Sequence, residues 1–187
     1  IERVGHGRLP LFLEPMPHVS QVPIGPDLIE RLLTRYPGTI AGIKDSSGDF
    51  HNTRAMLERF QPRGFDVFSG TESFLLATLR AGGAGCISAV ANVNPAAIAR
   101  LAVDWEKPAA ESEQAGLDRV RAALQEFPMM AALKATVAHF PGDEAWVTLR
   151  PPLIALAAEP RAQLLDTLTA IGFTMPGLAE ATPASAA

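Results

Sequence analysis

The 187-residue chain contains three lysines, Lys44, Lys107 and Lys134. Lys44 alone closes a short apolar run, Thr39 to Ile43 (TIAGI), and the polar stretch Asp45-Ser46-Ser47-Gly48-Asp49 follows it. In sheets of parallel strands, ligands bind at the carboxyl ends of the strands. A lysine there either snorkels its amine to water or offers it to a ligand. Apolar neighbours disfavour the ammonium form and free the amine as a nucleophile. A free amine condenses with a ketone to a Schiff base. The protonated imine then withdraws electrons, so an adjacent C–H or C–C bond can break or form.

Other chemistries find less support. Gly83-Ala84-Gly85 fails as a dinucleotide fingerprint: the third glycine would fall at Ser88, and these glycines precede a strand. There is no P-loop and no nucleophile elbow. His6, His18, His51 and His139 share no metal-ligand spacing with one another or with Cys86, and each reads as a surface or loop residue. Cys86 sits in an apolar run and reads as inert core. A single cysteine excludes an intrachain disulfide and fits a reducing, cytoplasmic setting. The net charge of −4 and the lack of a basic stripe argue against nucleic acid as a partner. The longest charge-free stretch, Ala81 to Ala99, is broken by Gly82, Gly83, Gly85, Asn92, Asn94 and Pro95, so no membrane span is expected. At 48% apolar and 19% charged, the composition is that of a globular domain.

The elements that must carry Lys44 follow from periodicity. Short apolar runs at 9–13, 39–43, 65–68 and 85–90 read as strands. Helices are expected at Pro26 to Arg35, Asn52 to Phe60 and Glu72 to Ala81, with Asn94-Pro95 opening another. Strand and helix alternate, the signature of βα units around a parallel sheet. Helical segments near 95–103, 109–126, 128–138 and 160–171 then follow without strands, and Pro151-Pro152 parts the last two.

Four segments carry a family resemblance: Gly42 to Asp49, Ser69-Gly70-Thr71-Glu72, Gly82 to Pro95, and Arg150-Pro151-Pro152-Leu153. In order and spacing they resemble successive motifs of the dihydrodipicolinate synthase / N-acetylneuraminate lyase family, from about Leu9 to Phe173. The resemblance implies an α/β fold of the (β/α)8 TIM-barrel type. It also implies class I Schiff-base aldolase or lyase chemistry on pyruvate or another 2-keto acid, with an aldehyde as second substrate and no metal or other cofactor. A full-length member would be a homo-oligomer. Lys44 falls on the Schiff-base lysine, and Ile87 falls where a backbone carbonyl faces the bound keto acid. Ser46, Gly70 and Glu72 fall on positions that touch the distal part of the substrate in some members. Ser47 offers a second hydroxyl beside the lysine. Both serines also read as a capped loop before a helix, and Glu72 as a first-turn residue favoured by the helix dipole.

The chain departs from that family in three ways. A (β/α)8 barrel typically needs about 250 residues. The visible βα units, residues 1–94, are expected to be the fifth to eighth, followed by a helical region at 95–173 and a loose tail at 174–187. A chain that opens on Ile1 rather than Met agrees with a fragment. The family's Thr-Thr pair, which holds the keto-acid carboxylate, would lie in the other half. Second, aligned through Pro17 and Val22-Pro23-Ile24, the family's catalytic tyrosine is replaced by Glu14. The only tyrosine, Tyr36, precedes the second visible strand. A carboxylate at position 14 either holds the lysine as ammonium, serves as the acid–base itself, or points to solvent from a Pro-rich loop. Third, Val19 stands where true dihydrodipicolinate synthases place an arginine, so a different aldehyde or a degraded site is expected. The rival expectation is a non-catalytic member of the same fold, serving as a binding or structural protein.

Overall fold

Four apolar runs lie side by side as parallel strands in the computed structural model, which describes residues 9–176. They are β1 (Leu11–Leu13), β2 (Ile40–Asp45), β3 (Asp66–Ser69) and β4 (Gly85–Cys86), paired in the order β1-β2-β3-β4. Helices fill the crossovers: α1 (Pro17–Ser20) and α2 (Pro26–Arg35), then α3 (Phe50–Phe60), then α4 (Leu75–Arg80). The expected βα alternation is therefore present.

Its boundaries shift for local reasons. β2 does not stop at Ile43 but runs through Lys44 to Asp45, because Lys44 and Asp45 find partners in Phe68 and Ser69. α3 begins at Phe50 rather than Asn52, where the Asp49 side chain caps it by accepting from the His51 N–H at 2.9 Å. The helix expected from Glu72 opens as a 3-10 turn, Glu72–Phe74, capped by the Thr71 hydroxyl. The strand expected over 85–90 pairs only at Gly85–Cys86. β3 ends at Ser69, whose carbonyl takes the Ile87 N–H at 2.9 Å, so the chain beyond has no strand to pair with and bends into a 3-10 turn, Ala89–Asn92.

The two faces of the sheet differ. Ile40, Ile43 and Val67 are buried with Ile29 of α2, Met56, Leu57 and Phe60 of α3, and Phe65; Leu11 and Leu13 pack against them. On α3 the buried positions Thr53, Met56, Leu57 and Phe60 follow helical spacing, which is why this segment is a helix with one apolar stripe. The other face carries Phe12, Gly42, Lys44 and Phe68. The Phe12 and Phe68 rings meet edge to face at 5.9 Å. Gly42 makes room for this: a methyl there would stand 2.6 Å from the Phe12 ring and 2.4 Å from the Asp66 carbonyl oxygen. Leu11 is opposite Ile40 but Phe12 is opposite Gly42, so the register shifts by one residue at Ala41.

By contacts the chain forms two compact units. Among the described residues, one comprises residues 9–89 with Leu101–Glu111, the other Val90–Arg100 with residues 112–176. The expected helices appear as α5 (Pro95–Asp104), α6 (Ala110–Gln125), α7 (Met129–His139) and α8 (Ala158–Ala170). The second unit has its own core of Val90, Val93, Val120, Leu124, Ala132, Leu133, Leu164 and Leu168. Residues 177–187, nearly all of the tail expected to be loose, lie outside the described residues. Among the described residues no helix is long and apolar enough to cross a membrane.

Candidate active site

Pairing of Leu13 with Ile43 brings the next residues on, Glu14 and Lys44, level at the carboxyl ends of β1 and β2. The Lys44 ammonium donates to Glu14 Oε1 at 2.5 Å. The two side chains are 21% and 42% exposed, so the pair is sheltered but open to water. Of the three expectations for Glu14, the one in which it simply points to solvent is not the one observed. Tyr36 caps α2 before β2 begins, at the opposite end of that strand from Lys44.

Asp45 falls in a stretch whose composition predicts a polar loop. It is the last residue of β2 and only 3% exposed. Its Oδ2 accepts from the Thr53 hydroxyl at 2.7 Å, and its Oδ1 accepts from Asn52 Nδ2 and the Ser47 N–H, each at 3.0 Å. One carboxylate thus ties the strand that bears Lys44 to the loop after it and to the first turn of α3. An aspartate two residues past an apolar run, with Asn52 and Thr53 seven and eight residues further on, was the signal available.

The serines serve the same turn. The Ser47 hydroxyl accepts from the Asp49 N–H at 3.2 Å. Ser46 lies against Gly70, whose N–H donates to the Asp45 carbonyl at 2.7 Å. A methyl at Gly70 would stand 2.8 Å from Ser46 Oγ, so this close approach requires glycine. Glu72 is fully buried and accepts from the Ser88 hydroxyl, a contact that spacing alone did not reveal. Burial, and then the neighbouring Glu72 carboxylate, push the Cys86 thiol up to about 11. Ile87 is 46% exposed and Val19 74% exposed. Lys44 and Glu14 are therefore brought into contact, as are Ser46 and Gly70. Glu72 is instead held in the interior. Among the described residues no three His, Cys, Asp or Glu side chains are grouped to hold a metal ion.

Parallel βα units carry a half-sheltered amine at the carboxyl end of the sheet, the end at which α/β folds of this kind bind their ligands. Residues 4–171 match the dihydrodipicolinate synthetase family, and the chain belongs to it. A lyase-like protein of Chloroflexus aurantiacus is 30% identical over 156 residues, 82% of this chain and 51% of the relative. The crystal structure of dihydrodipicolinate synthase from Agrobacterium tumefaciens superposes with a TM-score of 0.76 at 30% identity, covering 87% of this chain and 54% of that one. A prophage protein of the dihydrodipicolinic acid synthase family from E. coli, solved in complex with pyruvate, gives a TM-score of 0.79 at 25% identity, covering 89% and 57%. The chain spans about half the length of the relatives it matches.

Proposed function

We propose that this chain supplies the imine-forming half of a Schiff-base aldolase or lyase acting on pyruvate or another 2-keto acid. The observation that carries the proposal is the position of Lys44: a lone amine at the carboxyl end of a parallel sheet, on the face away from the helix-packed core. In this reading β1 to β4 are the fifth to eighth strands of a (β/α)8 barrel. The rest of the barrel, with the group that holds the keto-acid carboxylate, lies outside this chain.

The Lys44 amine adds to the keto carbon, water leaves, and the resulting iminium accepts the electron pair of an adjacent C–C or C–H bond. No metal is needed for that electron sink. Ile87, at the exposed end of β4, would present its carbonyl to the keto acid. Ser46 and Ser47 would offer hydroxyls beside it. Gly70 shapes the floor on which Ser46 rests. Glu72, through its bond to Ser88, would set the position of the chain around Ile87. Val19 and Glu14 separate this site from that of a true dihydrodipicolinate synthase, so the aldehyde is a different one. A homo-oligomer is the assembly this reading implies.

Borohydride trapping tests it. With pyruvate and borohydride, the protein in its native length should gain mass on the peptide containing Lys44, and Lys44→Arg should abolish the gain, because a guanidinium does not attack carbonyls. Labelling at Lys107 or Lys134 would overturn the assignment of Lys44, and no labelling at all would favour a non-catalytic member of the fold.

A further inference from the structure

We propose that Glu14 is the proton carrier of this site, taking a proton from the Lys44 ammonium and returning it to the departing oxygen. The proposal rests on the reading of Lys44 as the imine-forming residue. Among the described residues Glu14 is the acid hydrogen-bonded to Lys44. The other acidic groups near the ends of β2, β3 and β4 are engaged elsewhere. Asp45 is held by Thr53, Asn52 and the Ser47 N–H. Glu72 takes the Ser88 hydroxyl, and the Cys86 thiol is kept protonated by burial. Tyr36, the sole phenol, stands at the wrong end of β2.

The geometry gives Glu14 what a proton carrier requires. Oε1 faces the amine in direct hydrogen-bond contact, with no atom between them across which a proton must be relayed. Oε2 makes no hydrogen bond to a described residue, which leaves it for a substrate oxygen. A side chain 42% exposed can exchange its proton with water between turnovers.

The steps balance. Glu14 accepts a proton from the ammonium, leaving a neutral amine and a carboxylic acid. The nitrogen lone pair forms the C–N bond while the carbonyl π pair moves to oxygen. The acid protonates that oxygen, giving a carbinolamine whose nitrogen still carries an extra proton. Glu14 takes that proton and delivers it to the hydroxyl. The C–O bond then breaks, water leaves, and the iminium holds the single positive charge with which the lysine began.

The test is the rate of pyruvate trapping at Lys44 against pH, in the protein at its native length. At pH 7 Glu14→Gln should slow trapping by about 10²–10⁴-fold, the usual worth of general acid–base catalysis. The deficit should shrink as the solution is made alkaline, because hydroxide then removes the ammonium proton in place of the carboxylate. Glu14→Asp keeps the acid and should recover part of the rate, a split between amide and shorter acid that a purely structural role would not produce. If Glu14→Gln traps as fast as the parent at pH 7, or faster, Glu14 is only a counter-ion that restrains the amine and the proposal is overturned, while Lys44 keeps its role. If the parent never labels at Lys44, the imine reading fails first and this proposal with it.

Discussion

At the scale of single residues, the neighbours Lys44 and Asp45 divide two tasks between opposite faces of one strand. Lys44 faces the open side with its reactive amine. Asp45 turns the other way and is spent wholly on structure, with three donors on two oxygens. Removing that acceptor strands the buried Thr53 hydroxyl, at about 1–3 kcal/mol, and frees the part-buried Asn52 and Ser47 donors. Asp45→Ala should therefore lower the denaturation midpoint clearly, whereas Ser46→Ala, which breaks no hydrogen bond in this network, should leave it nearly unchanged. Cys86 gives a second residue-scale prediction. Its thiol, raised to about 11 by burial and then by Glu72, stays protonated at neutral pH. Alkylation of the native protein should be slow at pH 8 and accelerate only as pH nears that value, while the unfolded chain reacts around pH ~8.5. The raised thiol also favours the folded state below the unfolded value, and that contribution fades as pH rises from there to the folded value.

Among the elements, α3 is tied to the end of β2 through Asn52 and Thr53, which donate to Asp45. Its cap, Asp49, should be worth about 0.5–2 kcal/mol, measured as the loss on Asp49→Ala. Its last core residue, Phe60, is fully buried against Phe65, so Phe60→Ala should cost about 3–5 kcal/mol. In the second unit, the 3-10 turn Glu144–Val147 is tied to α8 by Arg161, whose hydrogen bonds hold the Glu144 carboxyl below its usual range. A depressed carboxyl stabilises the fold above its unfolded value and ceases to as pH falls through the folded one. The melting temperatures of the parent and of Glu144→Gln should accordingly converge as the solution is acidified. Helices were the most legible elements in the sequence, because Ile29 or Met56 recur on one face at helical spacing. β4 was the least legible. Its apolar run continues to Val90, but a strand lasts only as long as its neighbour, and β3 stops at Ser69. The Lys44–Glu14 contact was legible only through alignment to relatives, and the Glu72–Ser88 contact not at all, since neither pair has a local period to betray it.

For the molecule as a whole, the sheet is the unfinished part. Among the described residues β1 and β4 each have one strand neighbour, which leaves a row of backbone groups unpaired on either side. Leu9, Phe12, Met16, Val19 and Val22 are exposed on or just beyond β1. The 187 residues produced alone should therefore associate, visible by light scattering, and show little activity. A monodisperse, cooperatively melting and active monomer of this length would contradict the half-barrel reading.

Ala41 decides more than its size suggests. The faces of a strand are a matter of odd and even, yet Ile40 and Ile43, of opposite parity, both lie in the core. The register shift at Ala41 is the miscount that allows it. Counted without that shift, Lys44 would share a side with Ile40 and point beneath the helices. Deleting this one alanine would leave Ile40, Gly42, Ile43 and Lys44 in plain alternation with the amine still on the open side, whereas ironing out the bulge with Ala41 kept would turn the amine to the wrong side of the sheet.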